Sequence, residues 1–243
     1  MVCVSHFQKF VYLKTHKTGS TSAELALEPF CTPPDHKVKR KLRDMLFTPY
    51  GVVGARAGGT AVRENRKGKF LHHHMGAKQV RDVIGPLFFD EYTKIACVRN
   101  PFKRLLSQFV FQHEVKNVPL PDDLGEARAL FKASFPPRGQ IAIRGSSKPR
   151  IKSDRNMVSI DGKVVIQHYF RAEHLTDDIK SFLTDRGVPE DRIEVPFERN
   201  NTSSYKKWSV MDFFDDDEMV EAALDVDDWV FALAGYSRDP RDA

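Results

Sequence analysis

Residues 7–28 read FQKFVYL, then KTHKTGSTS, then AELALE. The first block ends in a short apolar run rich in β-formers, which reads as a buried strand. The last block is a good helix former, closed by Pro29. Strand, polar loop and helix therefore follow one another within 22 residues. The pattern recurs downstream. Residues 93–98 (TKIACV) read as a second buried strand, broken by Arg99-Asn100-Pro101. Pro101 suits the first turn of a helix over 101–113, with Phe102, Leu105, Leu106, Phe109 and Val110 on its apolar face. Residues 76–84 read as another helix, with Ala77, Val80, Val83 and Ile84 on one side. Strands alternating with helices predict an α/β fold, a single domain over 1–243 with a central, mainly parallel sheet flanked by helices. Ligands on such sheets bind at the carboxyl ends of strands. Both KTHKTGSTS and the RNP motif lie there.

The remaining segments are less regular. Residues 32–69 carry Pro33-Pro34, a basic run over Lys37–Arg43 and several glycines, and read as a partly helical basic segment followed by a loop. Residues 117–160 are broken by prolines from Pro119 to Pro149 and give no clear element. Asp161-Gly162 reads as a hairpin turn, followed by VVIQHYF as a strand. Thr176 suits the cap of a helix running to Arg186, with Gly187 as its stop. Asp215 to Ala234 reads as one strongly acidic helix with an aromatic and aliphatic face. There is no internal repeat.

Composition narrows the class. The chain has 243 residues, 41% apolar and 29% charged, as in a globular protein with a sizeable core. No apolar run approaches the roughly 20 residues that a membrane span needs. The N-terminal MVCVSHFQKF lacks the apolar core of a cleavable signal. Cys3, Cys31 and Cys97 are widely spaced, without a CxxC pair, against a disulfide framework or a cysteine-based zinc site. The net charge of +5 is uneven: residues 1–120 carry 20 Lys and Arg against 9 Asp and Glu, and the remainder 18 against 24. A basic front half suggests an anionic ligand, either nucleic acid or a nucleotide-like small molecule.

The first motif, Lys14-Thr15-His16-Lys17-Thr18-Gly19-Ser20-Thr21-Ser22, has the logic of a phosphate loop. A strand-to-helix turn offers free backbone N–H groups and a positive dipole end, and glycine allows close approach. It is not a Walker A motif, because its lysine precedes its glycine. The second motif runs from Arg99 through Ser107. A guanidinium at the strand end can fork onto a phosphate, and a hydroxyl two helical turns on can share it.

Together the two motifs resemble the nucleotide signatures of sulfotransferases that use 3′-phosphoadenosine 5′-phosphosulfate (PAPS). HKTGSTS resembles their 5′-phosphosulfate loop, written PKTGGTS or PKTAST, and LKTHKTGST is similar to the galactose 3-O-sulfotransferases. Val98–Ser107 matches their 3′-phosphate motif V-R-[ND]-P-x-x-R-L-x-S. His74-Met75-Gly76-Ala77-Lys78-Gln79-Val80 resembles the His-led segment of the carbohydrate, Golgi-type branch, which includes heparan sulfate 2-O-sulfotransferases. YFRAEHLTDDIKSFL, RNNTSSYKKW and the closing ALAGY resemble later blocks of that branch.

The resemblance implies a P-loop-like sulfotransferase fold and a PAPS co-substrate, with 3′-phosphoadenosine 5′-phosphate (PAP) as product and no metal. It implies a hydroxyl acceptor of carbohydrate type, with no nucleic acid as partner. Lys17 would neutralise the leaving phosphate, and His74 would take the acceptor's proton, with His73 the other candidate. Thr18, Gly19, Ser20, Thr21 and Ser22 would bind the 5′-phosphate; Arg99 and Ser107 would hold the 3′-phosphate. Thr202 and Ser203 (or Ser204) would close over the nucleotide. Lys14 is either a further nucleotide contact or a solvated strand-end charge. His16 stands where relatives usually carry proline and has no assigned role. The sequence SSKPRIKSD replaces the branch's HFRPQ-like stretch. Its Lys148, Arg150 and Lys152, with Arg155, shape an anionic acceptor site or form a solvated loop. Segments 32–69 and 117–160 would be acceptor-side insertions. The expected compartment is cytoplasmic for a bacterial-type soluble form, or the Golgi lumen for a catalytic domain of the animal type. Two alternatives stand beside this reading: a P-loop-like nucleotide kinase or phosphotransferase, and a basic nucleic-acid-binding module.

Overall fold

The structure is a computed structural model. It describes residues 1–38, 44–56, 71–136, 150–196 and 208–243. In chain order the elements are β1 (Cys3–Ser5), β2 (Phe10–Leu13), α1 (Ser20–Leu27), β3 (Leu46–Thr48), β4 (Gly51–Val53), α2 (Ala77–Ile84), α3 (Pro86–Glu91), β5 (Thr93–Val98), α4 (Pro101–Lys116), α5 (Leu124–Ser134), β6 (Ser159–Ile160), β7 (Lys163–Val164), β8 (His168–Arg171), α6 (Leu175–Thr184), α7 (Asp217–Val226) and α8 (Asp228–Ala234). Contacts divide the chain into two compact units, Met1–Val98 with Arg155–Glu198, and Arg99–Asp154 with Arg199–Ala243.

The first unit is α/β. Its six-stranded sheet has the order β3-β4-β1-β2-β5-β8. β2 pairs with β5 in parallel (Leu13 opposite Ala96), and β5 with β8 (Val98 opposite Arg171). β1, β4 and β3 continue the sheet by antiparallel pairing. Four strands therefore point one way and two the other, a mixed sheet with a parallel heart. Parallel strands are covered on both faces, so they read as apolar runs rather than alternations. Phe10–Leu13 and Lys94–Val98 are accordingly buried throughout. One face packs Phe10, Tyr12, Ile95, Cys97 and Phe170 against Ala23, Ala26 and Leu27 of α1 and Ile179, Phe182 and Leu183 of α6.

Strands β3 and β4 depart from the sequence expectation, which read residues 32–69 as a partly helical basic segment followed by a loop. Residues 46–53 form a hairpin instead. Its Gly51 lies against β1 so closely that a Cβ there would stand 1.9 Å from the Val4 carbonyl oxygen. The Asp161-Gly162 turn does join β6 to β7, with φ of 49° and 79°. The strand expected over VVIQHYF is split: Lys163–Val164 belongs to that hairpin and His168–Arg171 to the large sheet. Thr176 lies inside α6, which starts at Leu175 after His174 without a side-chain cap.

The second unit is helical. Phe102, Leu105, Leu106 and Phe109 of α4 are buried with Ala127 and Phe131 of α5, and with Phe213, Phe214, Met219 and Phe231. α5 lies in the proline-broken stretch that gave no clear element. Asp123 caps it, accepting from the Glu126 N–H at 2.9 Å. The acidic helix expected over Asp215–Ala234 is two helices, α7 and α8, parted at the buried Asp227.

Candidate functional site

The loop between β2 and α1 is tied down by its own hydroxyls. Thr15 Oγ1 donates to the Cys97 carbonyl at 2.6 Å, and that carbonyl can only accept. Thr18, 2.8 Å away, must then donate to Thr15 Oγ1. Ser20 Oγ donates to the Thr15 carbonyl at 2.7 Å, and the Tyr12 hydroxyl to the Ser20 carbonyl at 2.9 Å. Thr15, Thr18 and Ser20 are all buried. Thr18 and Ser20, which the resemblance offers as 5′-phosphate donors, therefore turn their hydroxyls inward, as Thr15 does.

What the loop presents outward is backbone. Lys17 and Gly19 both adopt left-handed conformations, with φ of 61° and 71°. For lysine this costs about 1–2 kcal/mol. At Gly19 a Cβ would find ordinary space, 3.4 Å from Leu175 Cδ2, so the demand for glycine is conformational. Gly19 is the N-cap of α1 and provides no capping side chain. The first turn of the helix thus keeps its positive end for an anion.

Beneath the loop lies a charge cluster that the sequence reading missed. Glu24 of α1 is fully buried and accepts from Lys14 Nζ at 2.7 Å, from Arg56, and from the amine of Met1. Burial alone would push its carboxyl up. The amine, Lys14 and Arg56 outweigh that and hold it well below the usual carboxylate range. Lys14 Nζ also donates to Thr21 Oγ1 at 3.1 Å. Lys14 is therefore buried in an ion pair rather than solvated at a strand end. Because Thr21 accepts from Lys14, its own hydroxyl proton is left to be donated elsewhere. The available signal was a glutamate within the apolar run AELAL.

His74 meets this loop directly. Its backbone is left-handed, φ 55°, a region where histidine is enriched among non-glycine residues. Its Nδ1 lies 3.0 Å from the Lys14 carbonyl oxygen. Since that oxygen only accepts, Nδ1 carries the proton, and Nε2 holds the lone pair of the neutral ring. The His16 ring stacks on that of His74, centroids 3.7 Å apart and planes at 9°. The neighbouring histidines turn elsewhere. His72 Nδ1 donates to the His73 carbonyl at 2.8 Å, and His73 is exposed with its ring at 89° to that of His74.

In the second unit, Arg99 directly follows Val98 and is half-buried. Asn100 caps α4 through the Lys103 N–H at 3.3 Å, with Pro101 in the first turn. Ser107 is buried two turns along that helix. Arg104, the second arginine of the motif, is fully buried. Its Nε donates to Asp227 at 2.5 Å, and Asp154 lies 4.0 Å from its Nη1. Burial pushes the Asp227 carboxyl up to about 6, which leaves it ionised at neutral pH opposite the guanidinium. Thr202 and Ser203 lie outside the described residues.

Burial pushes the Cys97 thiol up to about 12, which suits a core residue and not a nucleophile. Among the described residues no three His, Cys, Asp or Glu side chains are grouped to hold a metal, and no helix is long and apolar enough to cross a membrane.

Comparison with known proteins adds one finding. The family described as "Sulfotransferase family" matches residues 1–150, which contain the Lys14–Ser22 loop, the three histidines and Arg99–Ser107. No curated protein and no solved structure matches the chain. A family match over 150 of 243 residues decides the matter: this chain belongs to the sulfotransferase family.

Proposed function

We propose that the chain moves the sulfuryl group of PAPS to a hydroxyl of a carbohydrate-type acceptor. The observation that carries this reading is the junction of His74 with the phosphate-type loop. A proton-accepting nitrogen, a lysine in a left-handed turn and an uncapped helix start belong to one short segment of structure.

The residues fit the nucleotide's chemistry. The first turn of α1 and the Thr21 hydroxyl offer N–H and O–H donors to the 5′-phosphosulfate, with Gly19 permitting close approach. Ser20, Thr18 and Thr15 hold the loop rigid from behind, so the donors need no reorganisation during reaction. Ser22 would complete the 5′-phosphate set. By their motif, Arg99 and Ser107 take the 3′-phosphate, as Thr202 and Ser203 take the nucleotide's outer side. Lys14 serves indirectly, by holding Thr21.

In the transfer the acceptor oxygen attacks sulfur in line. The bond between sulfur and the bridging oxygen breaks, and its electron pair stays on the phosphate of PAP. Lys17 neutralises that developing charge. The acceptor's proton goes to His74 Nε2, and the imidazolium formed keeps its Nδ1–H on the Lys14 carbonyl.

The test is calorimetric titration of PAP into the protein, with AMP and ATP as controls and Arg99→Ala in parallel. The expected result is tight PAP binding that weakens by about 1–3 kcal/mol without Arg99 or without the 3′-phosphate. Equal binding of PAP and AMP removes the PAPS assignment and returns the choice to a kinase. Salt-dependent binding to DNA or RNA that PAP does not displace would favour the nucleic-acid module.

A further inference from the structure

Arg104 stands within the second motif, between Arg99 and Ser107, yet its side chain is fully buried in the second unit. Nε donates to Asp227 Oδ2 at 2.5 Å, Nη2 donates to the Lys152 carbonyl at 3.3 Å, and Nη1 lies 4.0 Å from Asp154. One turn on, Gln108 Oε1 accepts from the Lys152 N–H at 2.9 Å. Gln108 is buried as well. Two residues four apart, neighbours on the helix surface, thus hold both backbone polar groups of Lys152. Ser107 lies between them in sequence and is itself buried.

Asp227 is a fixed point for this contact. Its N–H donates to the Ala223 carbonyl at 3.1 Å and so closes α7. Its own carbonyl accepts from the Val230 N–H at 2.8 Å and so opens α8. The carboxylate therefore leaves a joint whose backbone two helices hold.

The large apolar side chains of α4, Phe102, Leu105, Leu106 and Phe109, pack into the core of the unit. Apolar burial is strong but non-directional, whereas hydrogen bonds depend steeply on distance and angle. The bonds of Arg104 and Gln108 supply what burial alone lacks, a fixed register of α4 about and along its axis. Stability does not account for the ion pair. A buried guanidinium and carboxylate lose hydration that their attraction roughly returns, and an apolar pair of similar volume is often as stable or more so.

We propose that Arg104 and Asp227 are positioning residues for the 3′-phosphate: the pair fixes the register of α4, and with it the places of Arg99 and Ser107, without touching the nucleotide. This rests on the reading of Arg99 and Ser107 as the 3′-phosphate ligands. Arg99 directly precedes the cap of α4 and Ser107 lies on its second turn, so the position of both follows that of the helix.

The experiment titrates PAP and AMP calorimetrically into the parent, Arg104→Met/Asp227→Leu and Gln108→Met, with a urea melt of each. The ratio of the two dissociation constants reads the 3′-phosphate alone, since AMP shares the rest of the nucleotide. In the parent PAP binds more tightly. In the double variant neither member of the pair is left as an unmatched charge, so the urea midpoint falls far less than in Asp227→Ala. Its preference for PAP nevertheless drops roughly tenfold or more, the worth of one hydrogen bond to a charged group. Its affinity for AMP is held, which a general loosening of the protein would not allow. Gln108→Met leaves every charge in place and lowers the preference in the same direction, to a lesser degree. A parent-like preference in the double variant overturns the proposal. Should that variant melt too early to be titrated, Gln108→Met decides alone: a lowered preference with AMP affinity held supports the register role, and an unchanged one overturns it. A parent that binds PAP no better than AMP overturns the proposed function, and the positioning role with it.

Discussion

Glu24→Gln tests the ion cluster under the loop. The carboxylate is fully buried and takes Lys14, Arg56 and the Met1 amine at once. A neutral amide keeps the shape and removes the charge that Lys14, Arg56 and the Met1 amine share. Breaking a buried pair in this way costs about 3–5 kcal/mol, far more than an exposed pair. In a chain of this size that lowers Tm by roughly 6–20 °C. Thermal and urea melts of the two proteins read the difference.

The loss has a defined pH dependence. The Glu24 carboxyl sits below its ordinary value of 4.5 in the folded protein, so folding binds fewer protons there than the unfolded chain does. Its contribution is fully present above that value and is lost as the pH falls further toward the folded one. The carboxyl's own share of the gap is therefore constant near neutrality and shrinks below about pH 4.5, where the Met1 amine, lowered by burial to about 5, also titrates. Adding Lys14→Met to Glu24→Gln should recover part of the stability, because an uncompensated ammonium goes with it. A loss under about 1 kcal/mol at neutral pH would refute the argument that this cluster is a tight, ionised anchor.

Gly51→Ala should unpair β1 from β4, since its Cβ would stand 1.9 Å from the Val4 carbonyl oxygen; loss of protection of the β1 amides in hydrogen exchange reads this, and retained protection contradicts it. Asp227→Ala should destabilise by about 3–5 kcal/mol, because Asp154 at 4.0 Å is too far to replace a partner at 2.5 Å; a urea midpoint equal to the parent's would show that Arg104 is satisfied without it. Lys17→Ala and His74→Ala should each cut turnover by roughly 100-fold or more, measured as PAP release in the presence of an acceptor. Normal turnover in His74→Ala would remove it as the base.

The parts of the fold legible in the sequence are those where one segment carries its own signal. Phe10–Leu13, Thr93–Val98 and Pro101–Lys116 are long apolar or strongly periodic runs bounded by clear breakers. The antiparallel additions are not legible in this way. Cys3–Ser5, Leu46–Thr48 and Gly51–Val53 are three residues each, too short for a period, and they are strands because each finds a partner in the sheet. α5 was hidden for a different reason: the surrounding prolines dominate the reading, although Asp123, Ala127 and Phe131 hold its cap and its buried face. Division at Asp227 is likewise a tertiary effect, since the aspartate faces Arg104 from 123 residues away.

The candidate site shows the same limit at the scale of single side chains. KTHKTGSTS announces an anion loop, but composition alone cannot say which hydroxyls face the anion. Thr15, Thr18 and Ser20 close on the loop's own backbone and on Cys97, while Thr21 is turned into a donor by accepting from Lys14. The division is set by individual partners: Thr15 reaches the Cys97 carbonyl, Thr18 reaches the Thr15 hydroxyl, and Ser20, though it opens α1, turns back to the Thr15 carbonyl, while Thr21 beside it meets Lys14. The lysines divide in the same way: Lys14 sinks onto Glu24, and Lys17 rides the left-handed turn. The hydroxyl bonds of Thr15, Thr18 and Ser20 and the Lys14–Thr21 contact hold the loop's backbone in place without a ligand. Under the proposed function, that is the condition under which its donors serve a leaving phosphate without having to move during the transfer.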